Sequence, residues 1–598
     1  MKRTHSCGSL TSQMLGQQVV LTGWVAAVRD HGGLLFIDLR DEQVMAQLVF
    51  NPEGDAALHA RAREVRPEYV VGVEGQVKRR PAGTENPRLT TGGIEIGVAR
   101  LEIINISSPL PFELDAAASV SEEVRLAYRF VDLKRAPMQR TLRFRHRLTL
   151  EARNWLASQG FVEIETPVLT RSTPEGARDF LVPSRLVPGT FYALPQSPQQ
   201  FKQVLMVSGF EKYFQIARCF RDEDLRSDRQ PEHTQIDLEM SFVDEDEVIR
   251  VVEGLVSRLY QSLLGIKLEI PFPRLKHAES LARFGTDKPD MRFGMELADV
   301  SVLVRETELK IFRAVMDQGG VVLALATEGK PRLSREDLNR LTEWVKEQGG
   351  QGLAWLKAGA GDEGSPISKF FPEGLVKRLA GRLKAAPGET LFFIADKPHK
   401  ARMLADMLRR HLASRLDLIP SKNSFVWITE FPLFEWSEDE GRWVSMHHPF
   451  TAPLEADAAR VENDAGSVYA RAYDLVLNGT EVAGGSIRIH RRDLQEKVFK
   501  VLGIGEVQAR AQFSFLLNAL EYGAPPHGGI AVGLDRLIML MLNLTTIRDT
   551  IAFPKTQKGT CLVSGAPATV SDRQLKELNI KILQRDDGRR TTDEERDE

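Results

Sequence analysis

The sequence predicts a multidomain α+β protein that opens with a small β-barrel of the OB type. Three observations carry this. At 598 residues the chain exceeds what one hydrophobic core supports. Residues 18–104 hold five short strand-like runs split by Gly, Pro and Asp/Asn turns, with one helix near 55–65. From FVEIETPVL (161–169) onward a larger α+β domain begins. Composition agrees with an ordinary soluble globular protein, at 42% hydrophobic and 27% charged residues. No apolar run reaches the roughly 18 residues that span a bilayer. Cys7, Cys219 and Cys561 have no metal-ligand spacing and cannot build a disulfide framework, so a reducing cytoplasm fits. A net charge of −3 argues against nonspecific coating of nucleic acid. It still allows a local basic surface, because phosphate charge is felt within ~10 Å.

In the barrel, strand alternation turns Ile37 and Leu39 inward and Phe36, Asp38 and Arg40 outward. In QVMAQLVF (43–50) Val44, Ala46 and Leu48 face inward and Gln47 outward. An outward Phe among polar neighbours suits base stacking, although a scattered surface aromatic has the same signature. SSPLPFELD (107–115) reads as a linker, and MQRTLRFRHRLTLEARNWLAS (138–158) as a helix stopped at Gly160. Between 285 and 418 short strands alternate with Lys/Arg-dotted helices, and SFVWITEFPLF (424–434) then resumes the larger domain. The expected division is 1–106 barrel, 107–137 linker, 138–284 and 419–560 the split large domain, 285–418 an insertion, and 561–598 an extension. Its charged, aromatic-free end is expected to be disordered.

The chemistry concentrates in RCFRDEDLRSDRQPEHTQIDLE (218–239), a long antiparallel hairpin with a charged loop. Arg221 stands at a strand end beside Glu223, where its guanidinium could grip phosphate oxygens. Gln235, Asp237 and Glu239 share one face of the returning strand, as a lined pocket or a solvated sheet face requires. HGGIAVGLDRLIMLM (527–541) is a Gly-rich strand-to-helix turn that places Arg536 on a first helical turn, where the helix dipole disfavours a cation. Asp474 and Glu481 bracket a turn and could hold Mg²⁺ through oxygen. Arg488 follows on a β-like run, and His447 and His448 point apart.

FRDE with its hairpin and GLDR in its turn resemble the second and third signature motifs of class II aminoacyl-tRNA synthetases. The helix before FVEIETPVL, with Pro167, resembles the first motif, which builds a homodimer interface in that class. STPEGARDFLVP (172–183), QSPQQFKQ (196–203), DKPDMRFG (287–294), MHHPFT, GGSIRIH, YGAPPHGGIA and IAFPKT extend the resemblance to the bacterial-type aspartyl-tRNA synthetases, over about residues 1–560. The resemblance implies an OB-fold anticodon-binding domain and an antiparallel-sheet catalytic domain. It also implies an inserted α+β (GAD-type) domain like that of a tRNA-dependent amidotransferase subunit.

It further implies ATP-dependent attachment of L-aspartate to tRNA in two steps through an aspartyl-adenylate, with Mg²⁺. Arg221, Asp222, Glu223, Gln230, His233, Glu481, Gly533, Leu534, Asp535 and Arg536 would contact the nucleotide. Asp474 and Glu481 would hold the metal. Glu175, Ser197, Gln199, Lys202, Arg221, Asp237, His447 and Arg488 would contact aspartate, with Arg488 and Lys202 on its side-chain carboxylate. The family places a Phe where this chain has His233, whose titration near pH 6.5 would alter the contact. Phe36, Gln47 and Glu95 match residues that read the anticodon. His31 and Gly83 match the form that charges both tRNA(Asp) and tRNA(Asn), whose mischarged product goes to an amidotransferase. Lysyl- and asparaginyl-tRNA synthetases share the fold, but Arg488 with Lys202 suits a carboxylate better than an amine or amide. A strictly tRNA(Asp)-specific enzyme and a non-catalytic RNA-binding paralogue are the remaining alternatives.

Overall fold

The computed structural model describes residues 1–42, 44–115, 119–173, 176–329, 333–359, 365 and 367–583. The charged end of the chain lies outside them. Two compact units are present. The first holds residues 1–143 with 552–556 and 560–566. Its five strands are β1 (Gln18–His31), β2 (Leu34–Asp41), β3 (Val44–Phe50), β4 (Val70–Arg79) and β5 (Ile94–Asn105). They close into a barrel in the order β1-β2-β3-β5-β4. Alternation sends Val19, Leu21, Ile37, Leu39, Leu48, Val73 and Ile96 into a sealed core. Phe36, Asp38, Arg40 and Gln47 sit half-buried on the outer face, so period-2 patterning governs β2 and β3.

The stretch expected as a bare linker is more structured than its Pro-rich start suggests. Helices Glu122–Ala127 and Arg129–Asp132 form within it. Arg129 and Asp132 are both buried and paired with each other. Helices this short carry too few periods to register as amphipathic in sequence.

The second unit is built on an eight-stranded sheet. Its order is Arg274–Lys276, Phe425–Thr429, Ala472–Leu477, Thr480–Ile487, His527–Gly533, Glu232–Ser241, Lys212–Phe220 and Val162–Glu163. Neighbours run antiparallel except at the two ends. Helix Glu245–Leu264 supplies Val252, Leu255 and Leu259 to a core with Ile236, Leu238 and Ile530 of the sheet. That helix starts at an Asp244/Glu247 capping box and ends at Gly265, whose φ of 70° suits glycine. Within 285–418 lies a separate four-stranded sheet, ordered Ala298–Asp299, Val321–Ala326, Thr390–Asp396 and Ala354–Lys357. One of its cores joins Phe293, Met295 and Leu297 to helix Pro398–Arg415.

Candidate active site

The returning strand Glu232–Ser241 carries the centre of the site. Asp237 and Glu239 are 1% and 0% exposed, so their face is a sealed pocket wall and not a solvated one. Helix Gln199–Val207 lies across it and brings in Lys202, also 1% exposed. The Lys202 ammonium donates to Asp237 Oδ1 at 2.9 Å and lies 3.3 Å from Glu239 Oε2. From the far side Arg488 donates through Nε and Nη2 to Glu239 at 3.0 and 3.2 Å. Its Nη1 reaches His448 Nε2 at 2.7 Å and Ser486 Oγ at 2.6 Å. Four of its five N–H donors are thereby used, leaving one on Nη2. Gly529 pairs opposite Glu239, and a Cβ there would meet Glu239 Oε2 at 2.0 Å. The glycine run is thus explained by room for this carboxylate.

Buried polar atoms without partners cluster around these pairs. They are Asp237 Oδ2, Gln199 Nε2, Gln203 Nε2 and both ends of the Gln200 amide. A buried unpaired polar atom costs about 1–3 kcal/mol, so a cluster of them marks a place that awaits a polar ligand. Ser197 accepts from Gln199 N at 3.2 Å and fixes the start of the helix.

Beside this network opens a cleft of about 480 Å³, lined among others by Arg221, Glu223, Gln230, His233, Glu481 and Arg536. Arg221 Nε is buried there without a partner. Arg536 donates through Nη1 to the Glu481 carbonyl at 2.7 Å and through Nη2 to Asp228 at 3.3 Å. Half-buried on the first helical turn, the cation is offset there by a carbonyl and a carboxylate. Asp535, next to it, is 3% exposed and braces the wall: it pairs with Arg145 and accepts from Thr234 N at 2.8 Å.

Two expected nucleotide contacts take other positions. Asp222 turns outward, with its carboxylate 3.7 Å from Arg178, because adjacent residues at a strand end point oppositely. Leu534 is 1% exposed, and its side chain lies in the hydrophobic core. His233 also differs from expectation. Burial, then the charges of Arg221, Arg536 and Arg218, hold its pKa down to about 3. The ring is then neutral at neutral pH, and its titration is expected well below the 6.5 of a free imidazole.

Asp474 and Glu481 stand on adjacent strands over Gly484, where an added Cβ would meet Asp474 Oδ1 at 2.9 Å and Glu481 Oε1 at 3.8 Å. Two hard carboxylates over an open glycine fit a magnesium ion completed by phosphate and water oxygens. Among the described residues no cluster of three or more His, Cys, Asp or Glu side chains could hold a metal. Glu481 pairs with Lys288 at 3.0 Å; burial opposes its charge, but Lys288 and Arg536 keep its pKa lowered. His447 Nε2 lies 3.3 Å from Asp474. Burial disfavours its imidazolium, yet Asp474 outweighs that and raises its pKa. Glu175 lies outside the described residues.

Sequence reading assigned no role to His448, Ser486, Asp228 or Lys288, although it noted the His447–His448 pair and the DKPDMRFG stretch. His448 could have been found only by fixing which of two adjacent histidines points inward, which needs the strand's register.

On the barrel, Gln47 Nε2 donates to Glu95 at 3.1 Å, and burial raises the Glu95 pKa. His31 ends β1 and stands edge-on to Phe36, with ring centroids 6.0 Å apart. Gly32 and Gly33, with φ of 59° and 94°, make the tight turn beyond it. Gly83 has a φ of 87° in a later loop, with open space around it.

The second unit carries a charge-lined cleft of about 480 Å³ on an antiparallel sheet, and the first unit a closed five-stranded barrel, as a class II aminoacyl-tRNA synthetase requires. Residues 121–557 match the tRNA synthetases class II (D, K and N), and 19–104 match the OB-fold nucleic acid binding domain. The chain belongs to this class II family. It is 52% identical to the Aspartate--tRNA(Asp/Asn) ligase of Aquifex aeolicus, over 98% of this chain and 99% of that protein. It is also 52% identical to the one of Geotalea uraniireducens, over 97% and 98%. The fold is shared with asparaginyl-tRNA synthetase from Pyrococcus horikoshii complexed with asparaginyl-adenylate, at a TM-score of 0.58 and 20% identity, covering 93% of this chain and 98% of that one.

Proposed function

We propose that this chain is an aspartate–tRNA ligase that charges both tRNA(Asp) and tRNA(Asn), and that the sites above divide its work. The observation that carries the reading is the buried Lys202–Asp237–Glu239–Arg488 network with its cluster of unpaired polar atoms. Its spare Arg488 donor suits the side-chain carboxylate of aspartate, and the free Asp237 oxygen suits the ammonium. Gln199 and Ser197 complete the amino-acid wall, with His447 at its rim. Arg221, with its unpaired Nε, holds the α-phosphate, and Arg536 the outer phosphates. Glu223, Gln230, Gly533 and His233 frame the nucleoside, while Asp535 braces the wall. Asp474 and Glu481 would hold Mg²⁺, which supplies charge neutralisation on the phosphates when bound.

Held side by side, the aspartate α-carboxylate oxygen attacks the α-phosphorus, the bond to the bridging oxygen breaks, and pyrophosphate leaves. The terminal adenosine hydroxyl of tRNA then attacks the acyl carbon and releases AMP. Both steps are served by alignment and charge stabilisation more than by a protein nucleophile. The exposed Val162, Val168 and Leu169 support a homodimer through this region. No helix among the described residues is long and apolar enough to cross a membrane, and the cytoplasm is the place of action we assign.

Amino-acid-dependent pyrophosphate exchange tests the activity: aspartate should support it and asparagine and lysine should not. Charging purified tRNA(Asp) and tRNA(Asn) tests the range. The anticodons differ at one base, and one mismatched contact is worth about 1–3 kcal/mol. His31 packs against Phe36 on the reading face, where it can bond either base. His31→Leu is expected to depress charging of tRNA(Asn) about tenfold relative to tRNA(Asp). A wild-type preference for tRNA(Asp) beyond about a hundredfold, unchanged in the variant, would refute the relaxed reading. An aspartylated tRNA(Asn) would need an amidotransferase to complete it.

His233→Phe should lower the KM for ATP about two- to fivefold through a larger stacking area, leaving that for aspartate unchanged. Because His233 stays neutral down to about pH 3, the ratio of the two KM values should be flat from pH 8 to about 5.5. A ratio that climbs as pH falls through 6.5 would show that the ring titrates. By the same shift, His233 contributes full stability above about pH 6.5 and loses it as pH falls toward 3.

A further inference from the structure

Lys288 enters the nucleotide cleft from a loop outside the signature motifs, and its ammonium lies 3.0 Å from Glu481. The same loop rests on the turn just before Glu481, where a Cβ added to Gly479 would meet Asp290 Cβ at 3.2 Å. A buried side chain of the inserted region gathers the end of this loop. Arg409, fully buried on helix Pro398–Arg415, donates through Nε to the Gly294 carbonyl at 2.8 Å. Its Nη2 donates to the carbonyls of Asp290 and Phe293 at 2.9 and 2.7 Å. The guanidinium is layered between the rings of Phe284 and Phe293, at 4.8 and 4.2 Å from their centroids. Burial pulls its pKa down only to about 10, so it stays a cation at neutral pH. Phe293, Met295 and Leu297 then continue into the core of the inserted region. Three carbonyls gathered by one buried cation make a rigid joint, because leaving any of them unpaired costs more than the bond returns.

We infer that the inserted region is a positioning element for the nucleotide site: Arg409 sets the 286–294 loop, and the loop sets Lys288 against Glu481 and the phosphates. Lys288 offsets the clustered charge of Asp474 and Glu481 and adds a cation to the phosphate end of the cleft. This rests on the nucleotide reading of the cleft given above.

The test is a double-variant cycle on the full chain, reading equilibrium binding of an ATP analogue with a methylene between its α- and β-phosphorus, with Mg²⁺, by calorimetry. Lys288→Met and Arg409→Met should each weaken binding by about five- to tenfold. Together they should be no weaker than the stronger single variant by more than about twofold, because the second acts through the first. Aspartate binding without nucleotide should stay within about twofold of wild type. Where Arg409→Met does not fold, Arg409→Lys serves: it keeps a charge between the rings but cannot gather three carbonyls, and should move binding in the same direction. Additive losses, or aspartate and nucleotide affinity falling together, would show a merely structural role and overturn the inference. So would a folded Arg409 variant that binds the analogue as wild type. Glu481→Gln separates the two readings. If it leaves the Mg²⁺ dependence of binding unchanged, the nucleotide reading itself falls. If it removes that dependence while the Arg409 variants bind normally, only the coupling falls.

Discussion

Replacing Arg488 by leucine is expected to cut kcat/KM for aspartate activation by at least a thousandfold and to lower the melting temperature as well. Two losses are superimposed. One is the remaining Nη2 donor, the group offered to the substrate carboxylate. The other is internal: Glu239 is 0% exposed and keeps only Lys202 as a counter-charge once the guanidinium is gone. Removing one partner of a buried ion pair costs about 3–5 kcal/mol, because the other charge is stranded. The two effects separate in the double variant Arg488→Met with Glu239→Gln. It strands no charge, so its melting temperature should return toward wild type, while aspartate-dependent pyrophosphate exchange stays lost. Recovery of exchange along with stability would show that Arg488 serves the fold alone. Lys202→Leu should also lower the melting temperature, since it strands the buried Asp237, but should cost somewhat less in aspartate selection, because an ammonium offers the substrate a point charge and not a planar fork.

Much of this site could be read from the sequence because strand alternation is a local rule. Once TQIDLE is a strand, Gln235, Asp237 and Glu239 must share a face, and they do. The same rule put Phe36 outside and Ile37 inside the barrel. What alternation cannot supply is the partner. Arg488 and Glu239 are separated by 249 residues and meet only because their strands flank the one carrying Gly529. Without that pairing, Arg488 looked like a free cation awaiting a substrate carboxylate, when most of its donors are already committed. Lys288 escaped for a similar reason. It lies in a loop whose path is set by Arg409, more than a hundred residues later, and no local period relates the two. His233 shows the limit for ionisation: its low pKa comes first from burial and then from three arginines, Arg221, Arg536 and Arg218, none of which a model-peptide value can contain.

Arg221→Leu should lower kcat for adenylate formation by about 10²–10³-fold, with a smaller change in the KM for ATP. The reason lies in what the side chain lacks. Its Nε is buried in the cleft and has no protein partner, so the fold carries an unmet donor at that point. Such a donor is tolerated where a ligand oxygen completes it. As the carboxylate oxygen adds and the α-phosphorus becomes five-coordinate, negative charge builds on its equatorial non-bridging oxygens, and a fixed fork beside them stabilises the transition state more than bound ATP. That difference falls on kcat. The surroundings sharpen the expectation for stability. Arg221 carries an unmet buried donor and makes no ion pair among the described residues, so removing it strands no counter-charge. The melting temperature should therefore hold or rise while catalysis collapses, the opposite of the pattern at Arg488. Arg221→Lys keeps a point charge without the planar fork and should recover only part of the rate. A leucine variant whose kcat stays within about threefold of wild type would remove Arg221 from the reaction and leave its buried Nε without a purpose.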